Sequence, residues 1–159
     1  MRPHLEFASS VLSPWLTADV SALEQVQSKA IGMISGVQAR DYPGKLKELK
    51  LWSLEKRRIM LDIMQMYKKV HEIGNVKCNV TLVKDRARAQ GVRATRSQAD
   101  ELNIIKERCR LDIRKHFFTN RIADTWNQIP SNIKHITPVH KFKKKLIDWM
   151  NTQRLTETD

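Results

Sequence analysis

The sequence predicts a mostly α fold: an irregular helical bundle with a basic loop or arm between helices, which can include a short β-hairpin. Two observations support this prediction. Apolar residues recur at intervals of three and four over several segments, which is the spacing of one helix face. The 159 residues include only five Gly and five Pro, too few for a collagen-like, linker-like or many-turned all-β chain.

Residues 18–35 have the pattern of an amphipathic helix. Thr17 or Asp19 can cap its start, and Gly36 suits a left-handed exit. The apolar residues at helical spacing are Val20, Leu23, Val26, Ala30 and Ile34.

The longest helix is predicted over residues 54–73, after a turn at 41–44 and a short helix over 46–49. Ser53 is a good N-cap, and Gly74-Asn75 is a plausible stop. The apolar residues form one continuous stripe: Ile59, Ile63, Met66, Val70 and Ile73. We expect this stripe to form part of the core.

Residues 75–112 interrupt the helical pattern, because apolar residues become sparse and arginines crowd together. The segment is predicted to be an exposed basic arm, with short strands at 80–83 and 102–105. A helix resumes over 114–128 and ends before Pro130, since the residue preceding a proline disfavours the α region. Its apolar members are Phe117, Phe118, Ile122 and Trp126.

The last predicted helix opens at Pro138, where a missing N–H costs no hydrogen bond. Its apolar stripe is Val139, Phe142, Leu146 and Trp149, and Trp126 and Trp149 are expected in the core. Its lysines lie largely on the other faces: Lys141, Lys143, Lys144 and Lys145.

Positive charge is the strongest functional signal. The chain has 29 Lys+Arg against 17 Asp+Glu, a net charge of +12. Residues 1–35 are slightly acidic, whereas residues 75–159 carry eighteen basic and nine acidic side chains. Such an excess points to an anionic partner, most often RNA or DNA.

The sequence does not predict secretion or a membrane location. No apolar run reaches the roughly 18–20 residues that span a bilayer, and the first residues lack a signal-peptide core. Two Cys do not make a disulfide framework and suit a reducing compartment. We expect an intracellular protein of the nucleus or cytoplasm.

Signals of catalysis are poor, and the chain is predicted not to be an enzyme. It has no phosphate-binding glycine loop, no G-x-S-x-G, no H-E-x-x-H and no Asp-Asp doublet. Cys78 and Cys109 lack partners at zinc-finger spacing, so no metal or other cofactor is expected. For Asp112 and Asp124, ion pairs with neighbouring arginines are far more plausible than catalysis.

The candidate binding residues are basic side chains in two clusters, expected to contact phosphates. The aromatic pair Phe117 and Phe118 can stack on unpaired bases, but it can equally belong to the core. The lysine run can contact phosphate or simply be a solvated face. The predicted nucleic-acid-binding residues are Arg108, Arg110, Arg114, Lys115, Arg121, Lys143, Lys144 and Lys145.

An ordered set of motifs resembles one known family. The motifs are Arg2-Pro-His-Leu-Glu-Phe7, Leu23-Glu-Gln-Val-Gln27, Leu46-Lys-Glu-Leu-Lys-Leu51, Ser53-Leu-Glu-Lys-Arg-Arg58, Arg110-Leu-Asp-Ile-Arg-Lys115, Phe117-Phe-Thr-Asn-Arg121, Thr125-Trp-Asn-Gln-Ile-Pro130 and Phe142-Lys-Lys-Lys-Leu146. In this order the chain resembles the C-terminal part of LINE-type, non-LTR retrotransposon reverse transcriptases of the jockey-like clade, the part that follows the palm.

The resemblance implies a largely helical polymerase thumb and C-terminal extension that hold RNA and DNA. It implies no catalytic residue, because the family's Asp-Asp pair lies upstream in the palm. Residues 91–106, which include Thr95-Arg-Ser-Gln-Ala-Asp-Glu101, depart from the family pattern, so no role is transferred to residues 97–105. Met1 falls where the thumb would begin, which implies a truncated copy or an exapted fragment.

The expected organisation is a helical thumb-like segment over 1–74, a basic arm over 75–112, a C-terminal helical segment over 113–152 and a disordered tail over 153–159. The leading hypothesis is a non-catalytic nucleic-acid-binding fragment of an RNA-directed DNA polymerase. The alternatives are a domesticated protein-interaction module with exposed apolar helix faces, which could meet a palm-containing polymerase or another protein, and an inert retroelement product.

Overall fold

A computed structural model describes residues 2–37, 39–76, 78–89 and 100–152. Within these residues 60% are helical, in nine helices without a strand, which confirms the mostly α fold. The chain divides into two compact units, with the boundary after Leu61. Two parts of the predicted organisation lie outside the described residues: the tail over 153–159 and residues 90–99 of the basic arm.

The helices differ widely in length. In chain order they are α1 (Arg2–Glu6), α2 (Thr17–Gly32), α3 (Tyr42–Glu48), α4 (Leu54–Val70), α5 (Val83–Ala89), α6 (Asp112–Lys115), α7 (Phe118–Gln128), α8 (Ser131–Lys134) and α9 (Val139–Thr152). The unit boundary falls inside α4.

Side-chain caps fix the starts of α3 and α4. The Asp41 carboxylate accepts a hydrogen bond from the Gly44 N–H at 3.0 Å, so the expected turn at 41–44 is instead the first turn of α3. A Cβ at Gly44 would lie 2.7 Å from Asp41 Oδ1, so glycine allows this close cap. Ser53 Oγ accepts from the Lys56 N–H at 3.3 Å, which confirms Ser53 as the N-cap of α4.

The helix α4 ends three residues earlier than predicted. Glu72 adopts a left-handed backbone, with φ 54°, and the Ile73 N–H donates to Lys68 O at 2.8 Å to close the helix end. Ile63, Met66 and Val70 are buried as expected, but Ile73 lies beyond the end and is exposed.

The predicted inward face of α2 is correct only in part: Val20, Leu23 and Ala30 are half-buried, as expected. Gln27 and Ile31 are its buried residues, whereas Val26 is exposed and Ile34 lies beyond the helix end. Leu16 occupies the N-cap position and makes no capping hydrogen bond with its side chain, so neither predicted cap is used.

Polar contacts explain why Gln27 is buried. Its amide nitrogen donates to Tyr42 Oη at 3.0 Å and to the Trp52 carbonyl at 3.1 Å. Three residues away, the Glu24 carboxylate accepts from the Leu54 N–H at 3.1 and 3.2 Å and from the Tyr42 hydroxyl. A simple apolar periodicity therefore places Val26 inside and misses Gln27, the buried polar residue of this face.

The second unit contains an aromatic core. Tyr67 of α4 stacks on Phe142 of α9, with ring centroids 3.9 Å apart, and its hydroxyl donates to Ile136 O at 2.6 Å. Trp126 of α7 is fully buried and donates to Leu102 O at 2.8 Å. Trp149 is only half-buried, so its predicted core position is wrong: the fully buried residue of that last turn is Met150.

Two further predictions need correction. The helix predicted over 114–128 is two helices, α6 and α7, because Phe117 has an extended backbone with ψ 147°. The predicted strands near 80–83 and 102–105 do meet, through an antiparallel bridge between Leu82 and Ile104, but neither forms a strand in the part of the chain that is described.

Candidate nucleic-acid interface

The segment 108–117 presents both basic and apolar side chains to solvent. Arg108 and Arg110 are exposed and lie before α6, and no ion pair joins either to another described residue. Arg114 and Lys115 are exposed on the last turn of α6. The exposed apolar side chains of this segment are Leu111, Ile113 and Phe117.

The basic side chains of α6 have carboxylate partners. Arg114 lies 3.3 Å from Glu107, and Lys115 lies 2.7 Å from Asp112. The hydrogen bond and charge of Lys115 lower the pKa of Asp112. Every member of these pairs is more than half exposed, so the pairs are weak and leave the cations accessible to another anion.

Arg121 has a different environment from the other predicted residues. Its guanidinium lies 2.7 Å from the carboxylate of Asp62, whose side chain is only 5% exposed, and it donates to His116 O at 3.1 Å. A buried carboxylate needs such a partner, so Arg121 has a structural role in joining α7 to α4.

The second basic cluster lies on α9. Phe142, Leu146 and Met150 form the buried face of this helix. The lysines all lie on its exposed face, and none forms an ion pair with another described residue: Lys141, Lys143, Lys144 and Lys145. The structure therefore places the lysine run as an exposed patch, which we call the α9 lysine patch.

The α9 lysine patch does not stabilise its own helix. Lys141 lies in the first turn, where the partial positive charge of the helix terminus disfavours a cation, and no acidic residue lies there. Lys141 and Lys145 are separated by four residues, a spacing at which like charges repel. The only carboxylate of α9, Asp148, lies one turn after Lys144 and Lys145, but it forms no ion pair with another described residue.

Lys134 is a buried cation that the sequence analysis missed. Its ammonium donates to Asn103 Oδ1 at 2.6 Å and to Asn127 O at 3.3 Å, and it lies 4.0 Å from Asp100. Burial lowers the pKa of Lys134, although the charge of Asp100 opposes that effect. The sequence context, a lysine after Ile133 in a four-residue helix, carries no signal of this burial.

Asp100 completes this buried cluster. Burial alone would raise the pKa of Asp100, but hydrogen bonds from Leu102, Ser131 and His135 outweigh it and lower the net pKa. The cluster therefore anchors residues 100–103 next to α8.

A small cleft lies beside α5. Its volume is about 170 Å³, and its walls combine apolar side chains with cations and carboxylates. The charged lining residues are Lys69, Glu72, Lys84, Asp85 and Arg88. The mixture of signs makes it a weaker anion site than either exposed cluster.

The other residues considered for chemistry have ordinary surroundings. Asp112 and Asp124 form ion pairs as expected, but with Lys115 and Lys106 rather than with arginines. Burial raises the pKa of the Cys78 thiol, an effect that the charge of Lys69 partly offsets. Among the described residues, no group of His, Cys, Asp and Glu could hold a metal ion, and no helix is long and apolar enough to cross a membrane.

The fold and these surfaces define a small helical chain with two exposed basic clusters on one unit. Comparison with known proteins gave no match: no family model, no curated protein and no solved structure is similar to this chain. The resemblance to retrotransposon reverse transcriptases stays a prediction that depends on the motifs quoted above.

Proposed function

We propose that this protein is a non-catalytic nucleic-acid-binding module that contacts the phosphate backbone of RNA or DNA. The observation that carries the proposal is the α9 lysine patch: four exposed lysines within five residues, without a carboxylate partner among the described residues. Their mutual repulsion costs helix stability, and phosphate groups would relieve it.

The segment 108–117 supports the same function. Arg108 and Arg110 supply exposed cations, and the weak pairs of Arg114 and Lys115 can exchange a carboxylate for a phosphate. The resemblance to a polymerase thumb, which holds template and nascent strand, agrees with this proposal. Arg121 is not included, because its partner Asp62 is buried.

The salt dependence of binding tests the proposal. A triple variant in which Gln replaces Lys143, Lys144 and Lys145 should bind with a weaker dependence on salt. The slope of log affinity against log salt concentration should become less steep by about 0.7–0.9 for each lost contact, and thus by about two in total. The loss should be similar for different base sequences, because phosphate contacts carry no base information. Fluorescence anisotropy with a labelled RNA measures both quantities.

A matched variant controls for net charge. Replacing Lys29, Lys47 and Lys50, which are exposed on the first unit, removes the same three charges from another surface. This control should keep the slope of the parent. Equal slopes for the parent and the α9 variant would refute a role for the patch, and equal losses in both variants would indicate a nonspecific charge effect.

A specific observation favours a second candidate function, protein interaction. The stretch 7–16 contains no charged residue and exposes large apolar side chains, with Val11 79% and Leu12 63% exposed. Contiguous exposed apolar surface commonly marks an interaction site. Replacing Val11 and Leu12 with Ser should abolish a protein complex that survives high salt, whereas it should leave RNA binding unchanged.

A further inference from the structure

The segment 108–117 differs from an ordinary phosphate-binding patch because its apolar side chains are as exposed as its cations. Leu111 is 71% exposed, Ile113 63% and Phe117 54%. A patch that met only phosphate would gain nothing from these side chains, which instead cost free energy in water. The partner must therefore offer apolar faces together with negative charge.

The surroundings of Phe117 suit an aromatic partner. The Arg114 guanidinium lies 5.5 Å from the centroid of the Phe117 ring, a cation–π contact that restricts the ring while more than half of the residue stays exposed. Two hydrogen bonds fix the backbone at Phe117: its carbonyl oxygen accepts from the N–H groups of Asn120 and Arg121 at 3.1 and 2.9 Å. The ring is thus an anchored, accessible stacking surface.

A single-stranded nucleic acid has the chemistry that this surface needs. Its unpaired bases expose π faces that stack on aromatic rings and on guanidinium planes, and its phosphates alternate with those bases. In a duplex the base faces are covered by their neighbours, so Phe117 would have nothing to stack on. We infer that the segment 108–117 binds single-stranded nucleic acid, with a base on Phe117 and flanking phosphates on Arg108 and Arg110.

An anionic membrane would also combine charge with apolar groups, but the local backbone disfavours it. Residues 105–109 form neither a helix nor a strand, and α6 has only four residues. Burial in lipid would leave polar backbone groups of this stretch without partners, which is costly.

This inference depends on the proposed function and adds the strand state and the stacking residue. The test compares a labelled 15-nucleotide oligouridine with a blunt RNA duplex of the same length, by fluorescence anisotropy with the full chain. Phe117→Leu should weaken binding of the single strand by about fivefold or more, because each stacked base contributes about 1–3 kcal/mol. It should leave duplex binding unchanged, and Phe117→Trp should restore single-strand affinity.

Controls separate stacking from folding and from general apolarity. Ile73→Ala, at an exposed apolar residue outside the segment, should bind both nucleic acids like the parent. The helical circular dichroism and the melting temperature of the Phe117 variants should match those of the parent, since the side chain is half-exposed. Leucine keeps the apolar character of position 117, so its defect reports the loss of the aromatic face.

Each other outcome has a definite meaning. If the parent binds RNA but Phe117→Leu binds oligouridine with parental affinity, the stacking inference is overturned and the proposed phosphate contact survives. If the parent binds neither nucleic acid, both proposals fail. A further measurement is sedimentation of the protein with phosphatidylserine vesicles. If its affinity for the vesicles equals or exceeds its affinity for RNA, and Phe117→Leu does not change the vesicle affinity, the inference is overturned in favour of a membrane surface.

Discussion

Replacement of Ile63 tests the core of the second unit most directly. The side chain is 0% exposed and lies in α4, one residue from Asp62. Truncation to Ala removes buried methyl and methylene groups and leaves a cavity, which typically costs 2–5 kcal/mol. Domains of this size have a total stability of about 5–15 kcal/mol, so Ile63→Ala should fold but melt at a clearly lower temperature.

Ile63→Asp is the more severe version of this change. A carboxylate at this position would be buried without a cation, and such burial costs several kcal/mol beyond the lost apolar contacts. We expect the second unit to lose its helical circular dichroism at 25 °C. Ile113→Asp is the matched control, because Ile113 is 63% exposed and lies in the first turn of α6, where a carboxylate is favourable.

Urea denaturation followed by circular dichroism measures both changes. Ile113→Asp should stay within about 0.5 kcal/mol of the parent. An Ile63→Ala midpoint equal to that of the parent would mean that Ile63 is solvent-exposed, and the packing of α4 described above would be refuted.

Four further predictions concern other parts of the chain. Glu72→Gly should raise the unfolding free energy by about 0.5–1 kcal/mol, because glycine adopts the left-handed φ of 54° without strain, whereas Glu72→Ala should not raise it. Arg121→Gln should lower the melting temperature because it removes the cation beside the buried carboxylate of Asp62, at a cost of about 2–3 kcal/mol, whereas Arg108→Gln should not; equal melting temperatures would contradict the structural role. The pKa of the Asp100 carboxyl is lower in the folded state than its ordinary value of 3.8. The ionised carboxylate therefore stabilises the fold above that pH, and this stabilisation is lost as the pH falls through the folded-state pKa. The difference in unfolding free energy between the parent and Asp100→Asn should accordingly shrink below about pH 4. Purified protein with primer, template and magnesium should not extend the primer, because the chain has no Asp-Asp pair for two metal ions, and extension that a single Asp substitution abolished would contradict this.

The class of fold and the start of α4 follow from the order of the amino acids alone. Local signals carry that information: helical spacing of apolar residues, the Ser53 cap and the proline that ends α7 all act within a few residues. The net charge likewise depends on composition alone. These features do not depend on contacts between distant parts of the chain.

Which polar side chains are buried, and which cations form an ion pair, depends on contacts between parts of the chain that are distant in sequence. Gln27 and Lys134 are buried where distant groups accept hydrogen bonds from their side-chain nitrogens: Tyr42 and Trp52 for the first, and Asn103 for the second. The same reason distinguishes Arg121, which pairs with Asp62 across 59 residues of sequence, from the lysines of α9, which form no ion pair with another described residue. A polar side chain is buried or exposed according to its partners, and partners distant in the sequence are brought together only by the fold.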